Sequence, residues 1–216
     1  MIKPLDQIIK TVESVSIPIS NYPYDLVWNR SLEIGYLQST GYDYGKEYWQ
    51  KYQSYINDLG EKLSLGRAKF VIENIGSCEG LCDVGIGSGQ FVDTVKCKGY
   101  DVNPFAKEWL KDHGNYADIY KETFSALSFW DVLEHIDDPS NLLEKTENIF
   151  VSVPIHKDIN ACLVSKHLRP SEHIWHFTDA GFKNFMSLYG FQCKDTSNFE
   201  TVLGREDIMS YYFKKI

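Results

Sequence analysis

The segment Leu81-Cys82-Asp83-Val84-Gly85-Ile86-Gly87-Ser88-Gly89-Gln90-Phe91 has the residue types of a ligand loop: a short apolar run, an acidic residue, then alternating glycines. Glycines at the end of a strand let the backbone approach a ligand closely and adopt dihedrals closed to other residues. Asp101 stands at the end of the next apolar run, 97–102, where a carboxylate can accept hydrogen bonds from both hydroxyls of a ribose. The glycine spacing is G-x-G-x-G, with Gln90 where the third glycine of a dinucleotide loop would stand, which weakens a pyrophosphate reading. No Lys-Ser/Thr pair closes the loop, so the phosphate lysine of a nucleoside triphosphatase is missing. A tight turn that binds nothing is the bland alternative, and Asp83, the short strand and Asp101 together weigh against it.

A second set of residues has acid–base or metal-binding potential. Asp131-Val132-Leu133-Glu134-His135 follows the apolar run ending at Trp130, and the long stretch 155–177 carries His156, His167, Arg169, His173 and His176. Asp131, His135 and His173 are the candidate catalytic groups, His135 foremost because it comes directly after a strand. For any one of these histidines, a hydrogen bond that holds a loop is the commoner role. Asp131, Glu134, His135 and His173 also form a donor set for a divalent ion. Glu134 and His135 bracing the loop ahead of Asp138-Pro139, where Asp138 caps a helix and Pro139 takes its first position, is the favoured account, so no metal ligand is assigned.

These groups need an open sheet to bring them together. From residue 76 onward, short apolar runs alternate with amphipathic stretches, the pattern of an α/β domain with a mostly parallel sheet. Strands are expected at 80–84, 97–102, 117–120, 125–130, 149–153, 191–198 and 207–214, seven in all, with helices at 90–95, 105–112, 139–146 and 178–189. The 199–206 connection is too short for a crossover, so the last strand is expected to run antiparallel beside its predecessor. Residues 1–75 form a separate unit with helical patterning strongest at 45–75. The tyrosines there make it a helical lid over the site, with 41–52 chosen for lid contacts.

Composition narrows the function classes. The chain has 216 residues, 43% hydrophobic and 24% charged, which suits one globular core and excludes disorder or coiled coil. A net charge of −8 disfavours long contact with duplex nucleic acid. Cys78, Cys82, Cys97, Cys162 and Cys193 lack zinc-knuckle spacing and read as free thiols of a reducing compartment. Residues 1–16 lack the pattern of a signal peptide and no apolar run is long enough to span a bilayer, so a cytoplasmic location without membrane contact is expected.

The order of these motifs resembles the class I S-adenosylmethionine-dependent methyltransferases. Asp83-Val84-Gly85-Ile86-Gly87-Ser88-Gly89 looks like their first motif, Asp101 their ribose-binding acid, Trp130-Asp131-Val132-Leu133-Glu134-His135 the segment after their fourth strand, and Val151-Ser152-Val153-Pro154 the end of their fifth. The resemblance implies a Rossmann-like fold with a seven-stranded, mostly parallel sheet, an antiparallel last strand, helices on both faces and the N-terminal helical lid, with the methyltransferase domain at 76–216. It implies S-adenosylmethionine as cofactor, held by Asp83, Gly85, Ile86, Gly87, Gly89, Asp101, Val102, Asp118, Trp130 and Asp131, with Asp118 near the adenine. The interval from Asp83 to Asp101 is short for the family, so the first helix of the domain must be clipped.

The function implied is methyl transfer to an O or N atom of a small or medium-sized acceptor, a metabolite or sugar-like molecule. Two alternatives accompany it. One is a non-catalytic S-adenosylmethionine-binding regulatory module. The other is a metal-assisted RNA-end O-methyltransferase, because Asp131-x-x-Glu134-His135 with a downstream histidine resembles the E-x-x-E-H pattern of the enzymes that 2′-O-methylate RNA 3′ ends. A nucleotide-dependent oxidoreductase is a distant third, opposed by the glycine spacing.

Overall fold

The computed structural model describes residues 13–216. Its centre is a six-stranded sheet of β4 (Leu81–Val84), β5 (Lys98–Tyr100), β6 (Ala126–Trp130), β7 (Asn148–Pro154), β9 (Phe191–Ser197) and β10 (Ile208–Lys215), in the order β5-β4-β6-β7-β10-β9. The pairs β4–β5, β4–β6 and β6–β7 are parallel, and β10 lies antiparallel to both β7 and β9. The antiparallel last strand is as expected, and a single helical turn, Phe199–Val202, occupies the connection before it.

Alternation along the strands explains why both faces carry helices. Ala126 and Trp130 of β6 and Phe150 of β7 face one core, with Phe70, Val92 and Leu110 of the helices α2 (Asp58–Ile75), α3 (Gln90–Val95) and α4 (Pro104–Asp112). Leu127, Phe129, Val151 and Val153 face the other, with Phe182, Phe185 and Met186 of α7 (Asp179–Leu188) and Leu142 and Leu143 of the short α5 (Ser140–Leu143). Every residue of β6 is buried, as a strand covered on both faces requires. The clipped helix is also present: α3 is only six residues long and ends at Lys96 in a left-handed conformation.

The seventh strand expected at 117–120 is absent. The segment touches the edge of β5 through one parallel bridge, Gly99 to Tyr116, and then turns. Asp118 causes the turn: its Oδ1 accepts from the Tyr120 N–H, its own N–H donates to Glu122, and its C=O accepts from Lys121. Local side-chain bonds of this kind compete with a ladder and here prevail.

The helical expectation for 1–75 is corrected in part. Within the described residues, helices occupy α1 (Lys46–Gln53) and α2, whereas β1 (Ser14–Ile17), β2 (Leu26–Asn29) and β3 (Ile34–Leu37) form an antiparallel meander. Residues 1–12 of that unit, and most of the segment used for the signal-peptide reading, lie outside the described residues. The meander takes its fourth strand, β8 (Trp175–Phe177), from the stretch after β7, which also contains the short helix α6 (Ile159–Leu163). Thr178 caps α7 by accepting from the Gly181 N–H and donates to Glu33 at 2.5 Å, tying the meander to the central domain. Among the described residues no helix is long and apolar enough to cross a membrane, and all five cysteines are free.

Candidate functional site

The chain leaves β4, goes outward to β5 and returns to β6 on the other side, so the carboxyl ends of β4 and β6 flank a topological switch point, where open parallel sheets bind ligands. A cavity of about 710 Å³ opens there. Its wall includes the glycine loop, Asp101, Trp130 and His135, and residues of α1 and α2 close it from outside.

Gly85 shows why the loop needs its glycines. Its φ is +74°, and a Cβ there would lie 2.5 Å from Cγ2 of Val132, in the segment that follows β6. Only glycine allows the two loops to meet with the backbone exposed to the cavity. Gly85→Ala is expected to cost about 2 kcal/mol, from left-handed strain plus overpacking. Thermal unfolding should show a loss of about 4–8 °C. Gly114→Ala, at φ +70° with nothing within 4 Å of the added Cβ, isolates the strain alone and should cost about half as much.

Asp83 is buried beneath the loop, where it accepts from Ser128 Oγ at 2.6 Å, and burial pushes its carboxyl up to about 7 against that bond. Asp101 is anchored at the rim, accepting from the Asn103 N–H at 2.8 Å, and burial holds its carboxyl above the usual range. Asn103 also caps α4 and donates to the carbonyl of Gly45 at 3.0 Å, joining the cavity rim to the outer segment.

That outer segment is a run of tyrosines. The rings of Tyr44, Tyr48, Tyr52 and Tyr55 follow one another with centroids 4.7–5.6 Å apart. Gln53 donates to the carbonyl of Ser88 at 3.1 Å, so α1 is bonded to the glycine loop. None of the residues of α1 is fully buried, although Tyr44, Tyr48 and Tyr52 all face the cavity. An element held by ring contacts and few bonds, over a ligand space, is the kind that can open and close.

On the opposite wall His135 lies in a short helical turn after β6. Its Nδ1 is 2.8 Å from the carbonyl of Glu172, an acceptor only, so Nδ1 carries the proton and Nε2 keeps a lone pair. Burial holds the ring below the ordinary histidine pKa. His173 packs edge-on at 4.7 Å between centroids and is pushed down to about 2 by burial and its histidine neighbours. Glu134, 1% exposed, has no hydrogen-bond partner on either carboxylate oxygen, and burial, with Asp131 next, raises its pKa well above normal. One donor atom each of Glu134, His135 and His173 lies within 4.8 Å of the others.

Asp131 is placed differently from a free base. Its φ of +58° turns the side chain to Arg205 at 2.7 Å and Arg67 at 3.4 Å, and both arginines also hold the fully buried Glu200. Burial alone would raise the Asp131 carboxyl, but Arg205 and Arg67 outweigh it and hold it low. Arg67 lies 5.0 Å above the Trp130 ring, so this four-residue ion cluster forms the cavity floor. Asp131, the other carboxylate of the expected donor set, is therefore committed to the two arginines.

The structure thus brings Asp83, Gly85, Ile86, Gly87, Asp101, Val102, Trp130, Asp131, His135 and His173 to one cavity. Gly89 stands behind it as the N-cap of α3, against Trp109. Asp118 stays outside the wall, paired with Lys121 at 2.9 Å, while its neighbours Ile119 and Tyr120 line the cavity. Sequence reasoning missed Arg67 and Glu200, and Glu206, the neighbour of Arg205 in the chain, meets Lys166.

A family model described as a methyltransferase domain matches residues 48–195. No curated protein matches by sequence. Among solved structures the chain is similar to the plantazolicin methyltransferase in complex with a monoazolic desmethylPZN analogue and SAH, with a TM-score of 0.52 and 12% identity over 78% of this chain and 89% of that one. It is also similar to magnesium protoporphyrin IX methyltransferase from Synechocystis PCC 6803 with bound SAH, with a TM-score of 0.51 and 14% identity over 72% of this chain and 83% of that one. At such identities the likeness is one of fold.

Proposed function

The chain belongs to the methyltransferase domain family, and from that premise we propose that it moves the methyl group of S-adenosylmethionine to an oxygen or nitrogen atom of a small or medium-sized acceptor without net charge. The observation that carries this reading is the single cavity in which the glycine loop, Asp101 and His135 face one another. About 710 Å³ is in the upper part of the roughly 300–1,000 Å³ usual for small-ligand sites, room for a cofactor and a modest acceptor together.

Bound S-adenosylmethionine supplies a sulfonium methyl that leaves behind a neutral thioether. The chain's part is to hold and orient. Asp101 would take the ribose hydroxyls, the open backbone of Gly85 and Gly87 would hold the amino-acid half, and Ile86, Val102 and Trp130 would give apolar walls. The left-handed backbone of the loop is the cradle that fits such a ligand, since the Cβ atoms it lacks would meet Val132 and Tyr52. His135 Nε2, unprotonated at neutral pH, would serve as the base that accepts the proton of an acceptor hydroxyl. The tyrosine rings of 41–55 cover the cavity and exclude water, where orientation in a dry site contributes most.

Charge matching supports a neutral acceptor. Arg67 and Arg205 are balanced by Asp131 and Glu200, and Arg169 is paired with Glu172, so the arginines of the wall present no free fork to a phosphate. Free thiols fit a reducing, cytoplasmic setting.

Calorimetric titration with S-adenosylmethionine tests the reading. Asp101→Ala should weaken binding ten- to hundredfold, the loss of about 1.5–3 kcal/mol for hydrogen bonds to a charged group. NAD should not bind. Equal affinity in the variant would remove Asp101 from the site, and no binding by the parent chain would overturn the cofactor assignment. Formation of S-adenosylhomocysteine on cell extracts separates an enzyme from a regulatory module, which would bind without turnover.

A second reading rests on the orphaned oxygens of Glu134 beside His135 and His173. A divalent ion held there would polarise an acceptor oxygen. Its test is loss of turnover on chelation, with recovery on adding Mn²⁺.

A further inference from the structure

Behind the cavity wall, between the meander and the central sheet, a second cluster is unrelated to the cofactor space. His156 follows β7, Cys162 lies in α6 and His176 lies in β8, and none of the three lines the cavity. They are 4%, 0% and 1% exposed. One donor atom of each lies within 4.8 Å of the others, and the two imidazole centroids are 5.8 Å apart. Nε2 of His176 is out of contact with solvent and has no hydrogen-bond partner. A buried nitrogen left without a partner is rare and calls for a ligand.

We propose that His156, Cys162 and His176 bind a transition ion of the zinc class, with one coordination position left for water or a further donor. Two imidazoles and a thiol are borderline-to-soft donors that suit Zn²⁺ and Co²⁺, whereas Mg²⁺ and Ca²⁺ require oxygen. Bond lengths of about 2.0–2.3 Å place neighbouring donors of a tetrahedral site about 3.3–3.8 Å apart. The longest edge here is at most 4.8 Å, so side-chain rotation of about 1.5 Å or less completes the set.

The ion accepts the unshared lone pair of His176 Nε2 and takes the place of the Cys162 thiol proton, which is released to solvent. Asp207 acts electrostatically on His156 and offsets the positive charge. Cys162 otherwise packs among Leu26, Trp28 and Leu37, an apolar wall on one side of the site. An ion there pins the exit of β7, α6 and β8 to one another. These bound the segment that delivers Arg169, Glu172 and His173 to the cavity, so the site is a brace for the acceptor side whatever reaction occurs there.

The full chain, stripped with chelator, is titrated with Co²⁺. One equivalent should give tetrahedral visible bands and a near-ultraviolet thiolate-to-cobalt charge-transfer band, both displaced by Zn²⁺. Cys162→Ser should abolish the charge-transfer band and His176→Gln should weaken binding at least tenfold, with circular dichroism confirming that each variant is folded. Glu134→Gln separates the two clusters, since the donor set Glu134, His135 and His173 contains no cysteine, and should leave the band intact. For the unaltered chain, zinc X-ray absorption should fit one sulfur and two imidazole nitrogens, a readout independent of variant folding. Absence of stoichiometric binding, a charge-transfer band that survives Cys162→Ser, or a band lost in Glu134→Gln overturns the proposal.

Discussion

His135→Ala is expected to lower kcat by about two to four orders of magnitude with a hydroxyl acceptor, the range associated with a positioned general base. The expectation rests on the tautomer. A carbonyl at 2.8 Å fixes the proton on Nδ1, and burial keeps the ring from taking a second one, so Nε2 is a vacant base at neutral pH. Because the ring's pKa lies below 6.5, kcat/KM should be flat through neutrality and fall only on the acid side of that value. His135→Asn keeps a side-chain donor for the Glu172 carbonyl but no base, so it should preserve S-adenosylmethionine affinity while losing nearly as much kcat. If kcat in His135→Asn stays within about tenfold of the parent, the ring serves only to brace the loop, and the base must be sought elsewhere.

The part of this site that was legible in the sequence is the part specified locally. Gly85, Gly87 and Gly89 announce a left-handed loop, and Asp101 stands at the end of the next strand, so short spacing carries the geometry. His135 was legible because a residue directly after a strand must emerge at the sheet's carboxyl end. Arg67 and Glu200 were not, being 133 positions apart with no periodic rule to connect them. Arg205 shows the same limit: its neighbour in the chain is Glu206, but burial selects Glu200 and Asp131, because a charge taken out of water needs partners that are out of water too.

The same division holds for the fold. Strands β6 and β7 are long enough, and apolar enough, to be read as covered on both faces. The strands β1, β2 and β3 are four residues each, too short for alternation to show, and their fourth partner arrives from beyond β7. At 117–120, apolar Ala117 and Ile119 suggested a strand, and one aspartate redirected the backbone. Pairing across long separations, and turn chemistry hidden within an apolar run, set the limit.

Arg205→Met should remove about 3 kcal/mol of stability, the lower end of the 3–5 kcal/mol seen when one member of a buried ion pair is deleted. The lower end applies because Arg205 and Asp131 retain 28% and 24% exposure, although Glu200 has none. For a chain of this size that is a fall of about 6–12 °C in Tm. The loss comes mainly from Glu200, left fully buried with Arg67 as its remaining cation, and not from the pair's net attraction. Removing the burden should therefore restore stability: Arg205→Met combined with Glu200→Met is expected to unfold closer to the parent than the single variant does, a non-additivity measurable as a double-mutant cycle. The pH dependence has a definite sign. The Asp131 carboxyl is held below 3.8, so its contribution is complete above that value and lost as pH falls below it, and the gap between parent and single variant should stay constant from pH 8 to 5 and narrow only in stronger acid. A buried cluster is also poorly screened, so 1 M salt should leave the gap in place, as it would not for the exposed Lys166–Glu206 pair. A Tm change of less than about 2 °C, or one erased by salt, would mean that the cluster is solvated and that the cavity floor is held by Trp130 and its apolar neighbours alone.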